Sequence, residues 1–155
     1  MPYSALVILA ASAAALAAAF TLQYVLDVQP CALCLMQRVP LWVAVTLAAL
    51  ALMARPYGKA ARALLGLCAA VFVVGAAVAF FHTGVEQHWW LGTSGCALKP
   101  LGGADPESLR EQLLSTVVAR CDEVSWTFLG LSIANWNIPF SLALAGLAAT
   151  AARRG

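Results

Sequence analysis

Two cysteines, Cys31 and Cys34, stand three residues apart in the stretch 30–40, P-C-A-L-C-L-M-Q-R-V-P. A C-x-x-C pair can close a disulfide and exchange it with other thiols. Arg38 follows Cys34 by four residues, so on a helix its cation shares a face with that sulfur. The cation and a helix N-terminus would both favour a thiolate at Cys34. A charge set inside an apolar segment is costly and points to function more than to packing.

The elements that hold this pair are apolar. Of 155 residues 63% are hydrophobic and only 10% charged, where a soluble domain carries roughly 25% charged residues. Crossing ~30 Å of hydrocarbon takes ~20 mostly apolar residues as a helix. Four segments meet that length, at 4–22, 35–54, 63–81 and 135–152. The reading is an all-α membrane protein, a single domain over 1–155 built as a four-transmembrane-helix bundle. A cleaved signal peptide is the competing reading of 4–22, with 17–19 as the cleavage site. It lacks a basic leading region, because no Lys or Arg precedes Arg38. The net charge of +2 comes without a basic run, so nucleic acid is not an expected partner.

Basic residues orient the bundle. Arg55, Lys59 and Arg62 fall in the short loop 55–62, and Arg153 and Arg154 in the tail. That side is expected to be cytoplasmic, with both termini there. The junction 23–34 and the long segment 82–134 then face outward, and the long segment holds six of the chain's seven acids. Within it, 105–119 reads as a short amphipathic helix. Asp105 is its N-cap, Pro106 its first residue, and Leu109, Leu113 and Val117 lie on its apolar stripe. Such a helix suits the membrane surface.

Orientation divides the five cysteines. Cys31, Cys34, Cys96 and Cys121 share the outer face, where disulfides persist. Cys68 lies six residues past Arg62, so ~1.5 Å per residue keeps it far from the others, as a small buried apolar side chain. Four outer thiols suggest zinc, but a structural site has two close pairs, whereas Cys96 and Cys121 are 25 apart. No metal is expected, and haem attachment would need His where Leu35 stands. Two neighbouring pairs can pass electrons by thiol–disulfide exchange. The loop pair could serve a soluble protein, and the membrane pair a bilayer-dissolved acceptor such as a quinone. Four cysteines allow three pairings, and the residues alone leave the resting one open.

The pattern C-A-L-C-L-M-Q-R, the two distant loop cysteines, and W-T-F-L-G-L five residues after Cys121 together resemble the DsbB family. These are bacterial inner-membrane disulfide-forming enzymes. The likeness spans nearly the whole chain. It implies redox-active disulfides Cys31–Cys34 and Cys96–Cys121. A reduced periplasmic thioredoxin-fold oxidase, DsbA-like, would attack Cys96. Cys121, displaced, would attack Cys31, and Cys34 would deliver electrons to ubiquinone or menaquinone. Arg38 matches the family arginine beside the quinone, and His82 matches a family histidine near it. Gln37, a further cofactor-side residue, stands where some members carry Glu, keeping hydrogen bonds and losing charge. Cys68 is outside the family pattern.

Two other functions compete. A vitamin K epoxide reductase-like enzyme would have its loop cysteines ahead of C-x-x-C, the reverse of the order here. A non-catalytic membrane protein with structural disulfides would lose stability on Cys34→Ser and show no redox defect. The relay reading predicts the opposite. Cys34→Ser inserts and folds, judged by detergent melting, yet leaves its soluble partner reduced in a thiol-trapping assay.

Overall fold

The computed structural model describes residues 2–56, 58–93, 96 and 119–154. Four helices fill most of them: α1 (Pro2–Tyr24), α2 (Ala32–Met53), α3 (Gly58–Glu86) and α4 (Ile133–Arg154). A two-stranded hairpin, β1 (Thr127–Phe128) and β2 (Leu131–Ser132), precedes α4. The amphipathic helix expected at 105–119 lies outside the described residues, except Ala119, which is in no regular element.

α1, α2 and α3 are each long and apolar enough to cross a membrane. α4 has the same 22 residues as α2, but it carries Asn135, Asn137 and Ser141 early and Arg153 and Arg154 at its end. The molecule is a helical membrane protein, with four long helices among the described residues. Its outer surface is apolar, with Leu6, Val39, Trp42, Val74 and Leu142 all exposed. In lipid such a face needs no protein cover.

What holds the helices together is close packing of small residues, since lipid offers no hydrophobic drive between spans. α3 lies between α2 and α4, and α1 packs mainly on α2. The buried stripe of α3 reads Ala61, Leu65, Cys68, Phe72, Gly75, Ala79, His82. Its spacing alternates four and three residues, the seam of a left-handed helix pair. Ala44, Ala48 and Ala51 of α2 and Leu144, Ala148 and Ala151 of α4 meet it in one cluster. Cys68 sits in this seam fully buried, as a packing residue.

One layer higher the contact tightens. A Cβ on Gly75 would stand 3.2 Å from Pro40 Cβ and 3.5 Å from Ser141 Oγ. Glycine there lets three helices approach at one level, and Pro40 sits where its missing N–H breaks the α2 ladder. Above that layer the seam turns polar, with Gln37, His82 and Asn137 at the equivalent positions of α2, α3 and α4.

α3 continues to Glu86, past the span end expected at 81, and α2 begins at Ala32 rather than 35. The extra turn carries buried Thr83, Gly84 and Val85, so it is a packed continuation of the helix. Trp90 folds back over them, stacks on Phe81 and donates Nε1 to Phe81 O at 2.9 Å. The hairpin was not expected. Its two-residue turn, Leu129 (φ 52°) and Gly130 (φ 79°), has both residues left-handed, the geometry that matches strand twist.

This packing makes a prediction. Gly75→Leu overfills the Pro40–Ser141 layer and lowers stability by about 1–3 kcal/mol. Gly66→Leu, at an exposed position where a Cβ meets nothing within 4 Å, leaves it unchanged. Thermal melting of both variants in one detergent reads the difference.

Candidate active site

Cys31 is the N-cap of α2. Its backbone is extended (φ −76°, ψ 171°), and its Sγ accepts from the Cys34 N–H at 3.2 Å. The cap is the place that Ser or Asp usually fills. The same sulfur lies 2.6 Å from Cys34 Sγ, nearer than two unbonded sulfurs sit, so the pair is poised to close. His82 Nε2 approaches Cys31 Sγ to 3.5 Å from α3. The helix N-terminus therefore serves Cys31 rather than Cys34. The hydrogen bond from the Cys34 side chain holds Cys31 well below the ordinary thiol range. Burial opposes this, and His82 adds to it.

A chain of amides fixes His82. Ser141 Oγ donates to Asn137 Oδ1 at 3.2 Å, and Asn137 Nδ2 to Gln37 Oε1 at 2.6 Å. Gln37 Nε2 donates to His82 Nδ1 at 2.6 Å. Nδ1 thus accepts, and the ring hydrogen sits on Nε2, facing Cys31. Gln37 spends both ends of its amide on this chain, so it orients the histidine.

Glu86 lies one turn beyond His82. Its side chain is 5% exposed, and its Oε1 is 3.8 Å from His82 Nε2. Ser132 Oγ donates to Glu86 Oε2 at 2.5 Å. Ser132 is delivered by β2, caps α4 and accepts from the Asn135 backbone and side-chain N–H at 3.2 and 3.1 Å.

Arg38 turns toward α1. It donates to Gln23 Oε1 at 2.6 Å and to Ala19 O at 3.4 Å, with its guanidinium 5.1 Å from the Phe20 ring centroid. It and Cys34 line one cavity of about 350 Å³. The walls are largely apolar, including Ala15, Leu22, Leu41 and Phe140, and the polar rim includes His82, Glu86 and Asn137. Trp126, the first residue of the W-T-F-L-G-L motif that forms the hairpin, also lines it. A large apolar pocket with a few convergent donors is what a flat redox head group needs. Arg38 has five N–H donors, more than its two protein bonds use. The residues present fit a quinone.

Cys31, Cys34 and His82 also put three donor atoms within 4.8 Å of one another, a set that could hold a soft metal. Two thiolates on tetrahedral zinc stand roughly 3.8 Å apart, given Zn–S of ~2.3 Å. The 2.6 Å separation suits a closing pair instead.

Cys96 and Cys121 are disulfide-bonded, with Cα atoms 5.1 Å apart. They share one buried cluster with Cys31, Leu33 and Val85. Both pairs therefore meet beside the N-terminus of α2 and the C-terminus of α3. Cys96 is only 6% exposed, held under Gly92 and the Thr93 hydroxyl at 3.5 Å. Next to Cys121, Arg120 pairs with Asp122 at 2.7 Å and Glu123 at 3.1 Å. The Arg120 hydrogen bond draws the half-buried Asp122 carboxyl below its usual range.

The sequence-expected residues Cys31, Cys34, Gln37, Arg38 and His82 all border this one site, and Cys96 and Cys121 adjoin it. Reasoning from sequence missed Glu86, Asn137, Ser132 and Ser141. The seam spacing of α3 carries a signal for Glu86, since 75, 79, 82 and 86 continue it. Polar residues inside an apolar helix are the signal for Asn137 and Ser141.

A family model described as "Disulfide bond formation protein DsbB" matches residues 3–151. The chain is 35% identical over 146 residues to Disulfide bond formation protein B 2 of Pseudomonas entomophila (strain L48), covering 90% of this chain and 83% of that one. It is 35% identical over 130 residues to Disulfide bond formation protein B of Hahella chejuensis (strain KCTC 2396), covering 77% and 74%. The namesake from Azoarcus sp. (strain BH72) is 29% identical over 134 residues, covering 86% and 81%. No solved structure matches the chain. A likeness that runs from residue 3 to 151 means that the chain belongs to the DsbB family, the membrane disulfide oxidoreductases whose disulfide formation is linked to a quinone.

Proposed function

We propose that this protein reoxidises a soluble thioredoxin-fold oxidase at its outer face, through Cys96–Cys121 and then Cys31–Cys34. The supporting observation is the shared buried cluster of Cys31, Cys96 and Cys121. Disulfide exchange needs the attacking and attacked sulfurs to reach each other without crossing the bundle.

The relay balances as follows. A thiolate of the reduced partner attacks Cys96, forming a mixed disulfide and releasing Cys121 as a thiolate. The partner's second thiolate then attacks its own sulfur in that mixed disulfide and leaves oxidised, with Cys96 reduced. Cys121 attacks Cys31 of the closed inner pair, and Cys34 leaves as a thiolate. Cys96 attacks Cys121, restoring the loop disulfide and leaving Cys31 and Cys34 as the reduced pair. Because Cys96 is buried under Gly92, the partner has to lift the outer segment to reach it.

A quinone, ubiquinone or menaquinone, would be held by Arg38 and His82 against the apolar wall, where it supplies a two-electron acceptor. Gln37 and Asn137 fix the His82 ring. Leu22, Leu41 and Phe140 exclude water from the pair. The protein sits in the bacterial inner membrane with both termini cytoplasmic, a reading supported by Arg55, Lys59, Arg62, Arg153 and Arg154 lying at one end.

An anaerobic mixture of purified protein, a reduced DsbA-like oxidase and ubiquinone tests this. Quinone absorbance falls with wild type and stays constant with Cys34→Ser or Cys96→Ser. No fall with wild type, tried with menaquinone as well, contradicts the proposal. Losing a charge-assisted hydrogen bond of about 1.5–3 kcal/mol, Arg38→Met slows the quinone step roughly 10- to 100-fold. Its exchange with the soluble partner at Cys96 keeps the wild-type rate.

A further inference from the structure

We propose that Gln23 is the positioning residue for Arg38. It holds the guanidinium at the cavity edge with a neutral acceptor, so the position is fixed and the positive charge stays uncompensated. The inference rests on the proposed quinone site. It gives α1 a part in the chemistry that neither the C-x-x-C motif nor the family match supplies.

Three observations carry it. First, α1 meets Arg38 with the last turns of the helix, through Ala19 O, the Phe20 ring and Gln23 Oε1. The Gln23 contact is the shortest, at 2.6 Å. Arginine carries donors only, so the Gln23 amide has to turn its oxygen toward it. Gln23 is also the only amide side chain of α1, a helix built mostly of Ala and Leu.

Second, the two carboxylates that line the same cavity are committed elsewhere. Glu86 Oε2 accepts from Ser132 Oγ at 2.5 Å, and Glu123 pairs with Arg120 at 3.1 Å. Asp27, four residues past Gln23, accepts from the Gln29 amide at 2.9 Å. Among the described residues no carboxylate pairs with Arg38, and its three partners on α1 are neutral. Third, Cys34 and Arg38 line this cavity together. They stand one helical turn apart on α2, so the cation lies beside the place where the relay leaves negative charge.

An arginine near the end of an apolar span has a long flexible stem and would snorkel to the interface if nothing held it. A glutamate at position 23 would hold it, but with a full negative charge against the guanidinium. In a site walled off from water, that pairing would cancel the cation's field over the cavity. The carbonyl dipole of glutamine fixes the position and leaves the charge. Gln23 itself does not line the cavity, so it acts through Arg38.

Two variants separate position from charge. Gln23→Met removes the acceptor and keeps the length, whereas Gln23→Glu keeps the acceptor and adds the opposing charge. The first readout needs no quinone. Phenylglyoxal modification of Arg38, followed by peptide mass analysis, speeds up several-fold in Gln23→Met and slows in Gln23→Glu. The second is calorimetric titration of the oxidised protein, which has no electrons to give, with decylubiquinone. Gln23→Met binds about tenfold more weakly than wild type, and Gln23→Glu binds with an affinity close to wild type. On an Arg38→Met background, Gln23→Met weakens binding no further. The third is a single turnover: mixed with saturating decylubiquinone, pre-reduced Gln23→Glu is reoxidised about tenfold more slowly than wild type.

Wild-type modification and affinity in Gln23→Met overturn the proposal. So does an undiminished turnover in Gln23→Glu, or a tenfold loss that persists without the Arg38 guanidinium. The quinone site itself fails differently: wild type then binds no decylubiquinone, while the phenylglyoxal rates still read whether Gln23 holds Arg38.

Discussion

The contact between Cys31 Sγ and His82 Nε2 joins the chemistry to the fold. Cys31 caps α2, and His82 is a seam residue of α3. Their 3.5 Å approach exists only because the two helices are held at one height. That height is set one layer below, where Gly75 lets Pro40 and Ser141 come close. The small residues beneath it act at a distance on the sulfur. A bundle loosened there would separate the histidine from the cysteine before it lost any helix.

The polar layer is affordable because it is complete. Ser141, Asn137, Gln37 and His82 form one continuous chain across three helices, and each side chain supplies the partner the next one needs. Buried amides without partners would cost about 1–3 kcal/mol each. The same chain sets the histidine tautomer, so satisfying the core and orienting the site are one arrangement. The hairpin plays a matching part on the other side, where Ser132 caps α4 and holds Glu86 at once.

Much of this was legible in the residues. C-x-x-C ahead of an apolar run placed Cys31 and Cys34 at a helix start. Arg38 stood out as a charge inside an apolar segment four residues after Cys34, whereas Gln37 and His82 came from the family likeness, because nothing in a lone histidine at a helix end names its neighbour. Glu86 read as one more acid of the outer segment, since α3 was expected to stop at 81. Only the continuing seam, 75, 79, 82, 86, shows that it points inward. Asn137 was hidden for a different reason: its partner Gln37 lies 100 residues away, and a hydrogen bond between helices leaves no local pattern. The hairpin escaped notice because Leu129 adopts a left-handed backbone that leucine seldom takes.

The central claim is that the outer and inner cysteine pairs exchange directly, sulfur to sulfur. The double variant Cys34→Ser, Cys96→Ser leaves Cys31 and Cys121 as the only thiols of the two pairs. Mild oxidation, thiol blocking and peptide mass analysis then read their state. The account predicts an intramolecular Cys31–Cys121 disulfide in nearly every folded molecule. Finding both cysteines free, or linked only between molecules, would contradict it.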